Sequence, residues 1–380
     1  MSLSLFVPSF HGFPGENISF VEVPKAGSST TLLTLINAHA MKHGLAAVTV
    51  PRQPEGKSRT IGFRSKERPP FCEIIRDRYL FSMVRNPFAR VLSAYLDKVK
   101  HRNDIYLSFA RYVGIDLAKD ISFTEFLTHL AAMRGRVLNR HWAPQTGVIQ
   151  ARALRYDFVG ALETIGDDLG LILRNCGFSD SHIQSFIPHA RKSGSKIADF
   201  YDDTATDLVR EIYRDDFRLL GYSLDPKDAL SDPGVRAQQI GGGRVLSEAY
   251  AGLFAAREHA HWHQPEAAAE ELRKWLPMAT AMKLAAWDDH LFAAGVFARC
   301  RDFTTAKQQY EACLDLEPQA AKASLDLENL NEKSKRFMKS ALRKVEGQAP
   351  RPRAPGAPDA ETRALRAARR ARRQQLNPVE

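Results

Sequence analysis

The segment ISFVEVPKAGSSTT, residues 18–31, contains a strand, a turn and the start of a helix in immediate succession. Its first residues are apolar and β-branched, which is typical of a buried strand, and Pro24 ends this run because proline cannot donate to a sheet ladder. Residues 31–43 then carry leucine and isoleucine at helical spacing. Unpaired N–H groups at the start of a helix favour negative charge, so the segment predicts an anion-binding site.

The residues expected to bind the anion form one hydroxyl-rich turn: Lys25, Ala26, Gly27, Ser28, Ser29 and Thr30. The lysine adds a cation and the hydroxyl groups add donors. An alternative interpretation is that Ser28 and Ser29 only cap the helix. The turn differs from the Walker A pattern, in which the lysine follows the glycines, and this difference argues against an ordinary Mg-ATP enzyme.

A second junction of a strand and a helix follows in residues 79–95, YLFSMVRNPFARVLSAY. Pro87 suits the first turn of a helix, and Arg85 stands at the carboxyl end of the strand, where open α/β sheets bind their ligands. Ser93 follows about two turns into that helix. An arginine and a serine so placed predict a receptor for a second phosphate. The alternative is that Arg85 caps the strand and Ser93 lies on a helix surface.

These two junctions resemble the donor-binding motifs of sulfotransferases that use 3′-phosphoadenosine 5′-phosphosulfate (PAPS). Residues 25–30 resemble the 5′-phosphosulfate loop, and the pattern R-x-P-x-x-R-x-x-S of residues 85–93 resembles the 3′-phosphate motif. The resemblance covers residues 18–223. Three further segments are similar to the carbohydrate (Golgi-type, family 2) sulfotransferases: HWAPQ at 141–145, YDFVGALE at 156–163 and YRDDFRLLGY at 213–222.

The resemblance implies a P-loop NTPase-like, three-layer α/β/α domain with a parallel sheet, which we place in residues 1–225. It also implies transfer of a sulfonate group from PAPS to a hydroxyl of a carbohydrate or glycolipid. No metal is expected, since Lys25 would neutralise the charge that develops on the bridging oxygen. A basic loop at residues 188–195 is expected to close over the nucleotide, which makes Arg191 and Lys192 candidate contacts of the 3′-phosphate.

The acceptor hydroxyl must lose a proton, and His141 is the candidate base because an unperturbed imidazole titrates near neutrality. A structural role of His141 beside Trp142 is the alternative, and Glu163 is a competing base. Two other functions stay open. A P-loop kinase for a nucleotide or small molecule would need a lysine after the glycines and a strand-end aspartate for Mg²⁺. A non-catalytic scaffold would act through the C-terminal half of the chain.

The first domain is predicted to end with one amphipathic helix over residues 208–220. Residues 226–245 read as a glycine-containing linker, and residues 246–346 are rich in alanine and charged residues, which predicts a helical module. We expect this module to bind a protein partner, and a generic helical bundle is as consistent with its sequence as a tetratricopeptide-like one. The tetratricopeptide interpretation rests on the spacing of Phe297, Ala306, Tyr310 and Pro318.

Residues 347–380 are proline-rich and then arginine-rich, which predicts a disordered or helical tail that binds an acidic membrane surface. The net charge of +10 fits a polyanionic ligand, and without a nucleic-acid-binding motif no specific nucleic acid is expected. The chain shows no long apolar run, no convincing signal peptide, and four cysteines without metal or redox spacing. We therefore expect a cytoplasmic, bacterial-type enzyme that is peripheral to the inner membrane. Residues 46–50 are a strand candidate, and residues 51–70 are expected to form a basic loop beside the acceptor.

Overall fold

The computed structural model describes residues 8–12, 15–45, 78–116, 119–133, 138–183, 196–233, 249–318 and 326–330. Within it, Met1–Glu328 group into one compact unit. Several predicted features lie outside the described residues. They are the strand at 46–50, the basic loop at 51–70, Arg191 and Lys192, most of the linker, and the tail at 347–380.

A four-stranded sheet organises the described N-terminal part of the chain. In sheet order its strands are β1 (Phe10–Gly12), β2 (Ile18–Val21), β3 (Tyr79–Val84) and β4 (Phe158–Ala161). The pairs β2–β3 and β3–β4 are parallel, with Ile18 opposite Tyr79 and Phe81 opposite Phe158. Strand β1 pairs antiparallel with β2, so the sheet is mixed and the predicted parallel pairing holds only for β2, β3 and β4. Strand β1 has only three residues, too few for an alternating pattern to be recognised in the sequence, and it pairs with the edge of β2.

The described helices before residue 225 include the two that the strand junctions predict. In chain order the described helices are α1 (Ser28–Lys42), α2 (Pro87–Ala94), which continues into one π turn (Tyr95–Val99), α3 (Asp104–Val113), α4 (Phe123–Ala131), α5 (Gln145–Val148), α6 (Ile165–Asn175), α7 (Ile197–Phe200), α8 (Asp203–Ile212) and α9 (Arg214–Leu220). The single helix predicted over residues 208–220 is wrong, since Tyr213 separates α8 from α9. The buried Tyr213 hydroxyl donates to the carbonyl of Trp142 at 2.6 Å, and this tertiary contact accompanies the break.

Two apolar groups hold these elements together. Helices α1 and α6 pack with the sheet in one core, in which the rings of Phe20 and Phe81 stack with centroids 5.2 Å apart. A second, aromatic group joins the π turn to α3 and α4 and encloses Trp142, which is 1% exposed.

A polar cluster ties the start of β2 to the end of α1. Glu16 is buried and accepts hydrogen bonds from Lys42 Nζ at 2.7 Å, while its other oxygen lies 3.1 Å from His43 Nε2 and 3.3 Å from His39 Nδ1. Burial opposes ionisation of Glu16, but the hydrogen bonds from Lys42 and His43 outweigh it and lower the pKa of the carboxyl.

The C-terminal part of the described chain consists of two consecutive helical hairpins. Helices α10 (Ala251–His261) and α11 (Pro265–Ala281) form the first, and α12 (Trp287–Arg299) and α13 (Phe303–Leu316) form the second. Among the residues that suggested a tetratricopeptide unit, Phe297, Ala306 and Tyr310 are buried and Pro318 is exposed. Assignment of this module to the tetratricopeptide class stays a prediction. No helix within the described ranges is long and apolar enough to cross a membrane.

Buried charges join the hairpins to the loop that follows α5. Asp289 is fully buried and accepts from Arg152 Nη2 and Arg257 Nη2, both at 2.8 Å. Arg152 also donates to the Tyr250 hydroxyl at 2.9 Å, and Arg257 donates to Gln150. The helical module is thus bonded to the segment directly after the HWAPQ motif.

Candidate functional site

The predicted anion-binding turn has the backbone that its sequence indicates. Gly27 adopts a left-handed conformation with φ 80°, and a Cβ there would lie 2.8 Å from Leu162 Cδ1 and 2.9 Å from Ile165 Cδ1. Glycine adopts this conformation without strain, and a larger residue would also have to displace the terminal methyl groups of Leu162 and Ile165. Lys25 also has a positive φ, 71°, which costs a side-chain-bearing residue about 1–2 kcal/mol. The fold therefore holds the lysine in a conformation that an unconstrained chain disfavours.

The start of α1 keeps the character of an anion site. Among the described residues, no side chain caps its first turn, and that turn consists of hydroxyl residues without a carboxylate. The alternative interpretation, in which Ser28 caps the helix, is wrong. The buried Ser28 hydroxyl donates to the carbonyl of Val23 at 2.7 Å and so closes the turn against the end of the strand. Ser29 is exposed and Thr30 is half-buried at the open end of the turn.

Arg85 reaches the turn from the neighbouring strand. It is 8% exposed, and its Nη1 donates to the carbonyl of Lys25 at 3.4 Å. Burial lowers the pKa of the guanidinium, and the charge of Glu163 opposes this shift. Because β2 and β3 are parallel neighbours, their carboxyl ends bring the two predicted phosphate receptors together. That the two junctions bind phosphate groups stays a prediction.

Ser93 lies in α2, where the sequence placed it, and is 7% exposed. The alternative that it lies on an exposed helix surface is therefore wrong. Arg90, on the same helix, is a clamp that sequence reasoning did not assign. Its buried guanidinium donates to the carbonyls of Pro24, Arg140 and Ala143 at 3.0, 2.8 and 2.8 Å. It thus fastens the anion-binding turn to the HWAPQ segment, and the only sequence signal for it was its place in the R-x-P-x-x-R spacing.

Lys25 is held by a carboxylate that the sequence did not reveal. Its Nζ lies 2.5 Å from Asp97 Oδ2 in the π turn, and Lys98 Nζ lies 3.1 Å from the same oxygen. Burial alone would raise the pKa of Asp97, but the hydrogen bonds and charges of the two lysines hold it well below its usual range.

Two adjacent residues of the HWAPQ segment have different surroundings. Trp142 is buried in the aromatic group, whereas the half-buried His141 is close enough to Lys25 and Lys98 for their charges to act on it. Burial, followed by these two charges, lowers the pKa of His141 to about 4. Its Nδ1 lies 2.8 Å from Asn139 Oδ1, which can only accept, so Nδ1 carries the proton and Nε2 keeps its lone pair.

Glu163, the competing base, is already engaged. Its Oε1 accepts from the backbone N–H of Asn86 at 2.9 Å and its Oε2 from the Tyr222 hydroxyl at 3.1 Å. Burial raises its pKa in spite of these bonds. These bonds favour a supporting role for Glu163, which holds the backbone of Asn86, the residue after Arg85.

The YRDDF segment is bonded to the residues at the end of the HWAPQ segment. Asp216 is fully buried and accepts from the backbone N–H groups of Gln145 and Thr146 at 2.8 and 2.9 Å and from the Thr146 hydroxyl at 2.8 Å. Burial raises the pKa of Asp216, and these donors oppose the shift. Asp216 of this segment therefore positions Gln145 and Thr146.

Comparison with known proteins identifies the family. A sequence model described as "Sulfotransferase family" matches residues 9–223, more than half of the chain. The chain belongs to the sulfotransferase family. The recognition of a sulfotransferase, made from the motifs, is confirmed.

Several curated carbohydrate sulfotransferases are similar to this sulfotransferase. Carbohydrate sulfotransferase 11 of Danio rerio is 27% identical over 176 residues, which are 41% of this chain and 50% of that protein. Carbohydrate sulfotransferase 12 of Xenopus laevis is 31% identical over 176 residues, 40% of this chain and 41% of that protein. Carbohydrate sulfotransferase 10 of Xenopus laevis is 25% identical over 236 residues, 54% of this chain and 65% of that protein.

The chain spans about half the length of the curated relatives it matches. No solved structure matches it significantly.

Proposed function

We propose that this sulfotransferase moves a sulfonate group from PAPS to a hydroxyl of a carbohydrate or glycolipid. The observation that carries the proposal is the placement of Lys25 and Arg85, from separate motifs, at adjacent ends of parallel strands, where the Arg85 guanidinium donates to the backbone carbonyl of Lys25. The names of the relatives, all carbohydrate sulfotransferases, support the acceptor class.

The residues at the site fit a ligand with two separated anionic groups. The turn of residues 25–30 would hold the 5′-phosphosulfate, since it presents a lysine, hydroxyl groups and the start of a helix without a carboxylate in its first turn. Arg85 and Ser93 would hold the 3′-phosphate. Arg191 and Lys192, outside the described residues, stay predicted second contacts of that phosphate.

The chemistry requires a cation at the leaving group and a base at the acceptor. Lys25 would neutralise the charge that develops on the phosphate oxygen when the S–O bond breaks. His141 would accept the proton of the acceptor hydroxyl at Nε2, because Asn139 fixes the proton on Nδ1 and the low pKa keeps the ring neutral. Absence of a metal from the reaction stays a prediction.

Calorimetric titration with PAP, the desulfonated donor, tests the proposal directly, with ADP and Mg²⁺ as the control. We expect wild-type protein to bind PAP and Arg85→Ala to bind it weakly. Equal binding of ADP-Mg²⁺ would favour the kinase, and binding of neither nucleotide would favour the scaffold. A PAP-binding protein is then assayed for transfer of labelled sulfonate to polysaccharides and to glycolipids, which separates the two acceptor classes.

For the rest of the chain we keep the organisation predicted from sequence, with a catalytic domain in residues 1–225, a linker in 226–245 and a helical module in 246–346. Two consecutive hairpins support a tetratricopeptide-like packing that offers a face to a protein partner. A basic tail at 347–380 would contact an acidic membrane surface. Such an enzyme would be cytoplasmic and peripheral to the inner membrane.

A further inference from the structure

The lysine that would act on the leaving group already has an anionic partner. Lys25 Nζ lies 2.5 Å from Asp97 Oδ2, in a pair whose side chains are 10% and 28% exposed. At this distance and exposure the carboxylate neutralises much of the ammonium charge. A donor that is to use Lys25 must therefore compete with Asp97.

The π turn places Asp97 at this position. Helix α2 is regular as far as Ala94, after which Tyr95–Val99 form one π turn closed by the bond from Lys100 N to the Tyr95 carbonyl at 3.0 Å. Tyr95 is buried, and its hydroxyl donates to the carbonyl of Ile121 at 2.8 Å, which anchors the turn. Single π turns within helices are often found at functional sites. The same helix thus carries the predicted 3′-phosphate contact and the carboxylate on Lys25.

A second cation can remain paired with the Asp97 carboxylate when Lys25 moves away from it. Lys98 Nζ lies 3.1 Å from the oxygen that Lys25 contacts, and its side chain is 19% exposed. Without Lys98, release of Lys25 would leave a partly buried carboxylate next to an anionic donor, which is strongly unfavourable. With Lys98, the exchange leaves each charge with a partner.

Given the proposed function, on which this inference rests, we propose that Asp97 is the resting-state counter-ion of Lys25 and that donor binding exchanges it for the phosphosulfate. Asp97 is then a positioning residue, since it acts on the reaction through Lys25. It weakens donor binding in the ground state, because a carboxylate near the 5′-phosphosulfate repels it. Part of the binding free energy of the donor offsets the cost of displacing Asp97, so the ground-state complex is weaker than it would be without this carboxylate.

The test compares Asp97→Asn with a matched control, Asp302→Asn. The Asp302 side chain is 27% exposed and pairs with Arg273 Nη2 at 3.1 Å, far along the chain in the helical module. PAP affinity is measured by calorimetry, steady-state sulfonate transfer gives KM for the donor and kcat, and thermal unfolding reports stability. Asp97→Ser removes the same charge if the asparagine variant does not fold, and Asp97→Glu keeps the charge.

We expect Asp97→Asn to bind PAP about tenfold more tightly, because a like charge is removed near the ligand. Its donor KM and its kcat should fall together, as they do when ground-state destabilisation is removed. Asp302→Asn and Asp97→Glu should bind PAP as the wild type does. A loss of structure alone would weaken PAP binding.

PAP affinity of a folded Asp97→Asn or Asp97→Ser variant that equals or falls below that of the wild type would overturn the inference. Tighter binding by Asp97→Glu would also overturn it, since that variant keeps the carboxylate. Failure of the wild type to bind PAP is a different result, because it removes the proposed function itself.

Discussion

The side chain of Gln145 pairs with the backbone of Arg85 as a neighbouring strand would. Its Nε2 donates to the Arg85 carbonyl at 2.7 Å, and its Oε1 accepts from the Arg85 N–H at 2.9 Å. Gln145 is fully buried and is itself held by Asp216. Arg85, directly after the last residue of β3, is thus kept in register by a side-chain amide. The orientation of the guanidinium toward the anion-binding turn depends on this pair.

Gln145→Leu should therefore weaken both the fold and donor binding. The substitution keeps the approximate volume but leaves the buried N–H and carbonyl of Arg85 without these partners, which costs about 1–3 kcal/mol for each unsatisfied group. We expect the free energy of unfolding to fall by about 3 kcal/mol in urea titrations and PAP affinity to fall with it. Gln264→Leu, at an exposed position, is the control. Unchanged PAP affinity in Gln145→Leu would contradict a positioning role for this pair.

Lys25→Ala should abolish turnover while the protein stays folded. Removal of one preorganised group at a developing negative charge typically lowers kcat by about 10²–10³. We expect single-turnover rates of sulfonate transfer to fall by at least this factor, whereas the exposed Lys227→Ala should leave them unchanged. A Lys25→Ala variant as active as the wild type would rule out the proposed chemistry.

The low pKa of His141 predicts a pH dependence of stability. Burial and the charges of Lys98 and Lys25 lower the pKa to about 4 in the folded protein, against 6.5 for an unperturbed imidazole. The unfolded chain then binds more protons than the folded one between these values, so His141 makes stability fall as the pH is lowered from about 6.5 to about 4. Above this window the contribution of His141 is fully present.

His141→Gln removes this titration. The difference between its free energy of unfolding and that of the wild type should change between pH 6.5 and pH 4 and be constant above pH 7, as measured by urea titration. The same variant should lose about 10²–10⁴ in kcat if His141 is the base. His101→Gln, at an exposed position, provides the comparison. A flat difference curve would show that the ring is not held neutral by the fold.

Asp289 should be essential for the attachment of the helical hairpins. It is fully buried between Arg152 and Arg257, and removal of one member of such a network leaves uncompensated buried charge. We expect Asp289→Ala to lower the free energy of unfolding by about 3–5 kcal/mol. The exposed Asp315→Ala should change it by less than about 0.5 kcal/mol.

Because these charges bond the hairpins to the loop after the HWAPQ segment, wild-type residues 1–328 should unfold in one transition. Two separated transitions, seen by fluorescence and by circular dichroism at different urea concentrations, would contradict this coupling.

The sequence by itself determined the local elements and the two cationic junctions. Apolar runs with β-branched residues, Gly27 in a left-handed turn and Pro87 at the first position of α2 act through neighbouring residues, so their effect can be predicted from spacing. Parallel pairing of the strands then requires Lys25 and Arg85 to meet at one edge of the sheet.

Only the tertiary structure decided which groups hold these cations in place. Asp97 is 72 positions from Lys25 and Gln145 is 60 positions from Arg85, and no local period encodes partners so distant. The antiparallel strand β1, the clamp by Arg90 and the break at Tyr213 have the same origin. Each satisfies a buried polar group or an open sheet edge, and such a requirement arises only when the chain has folded.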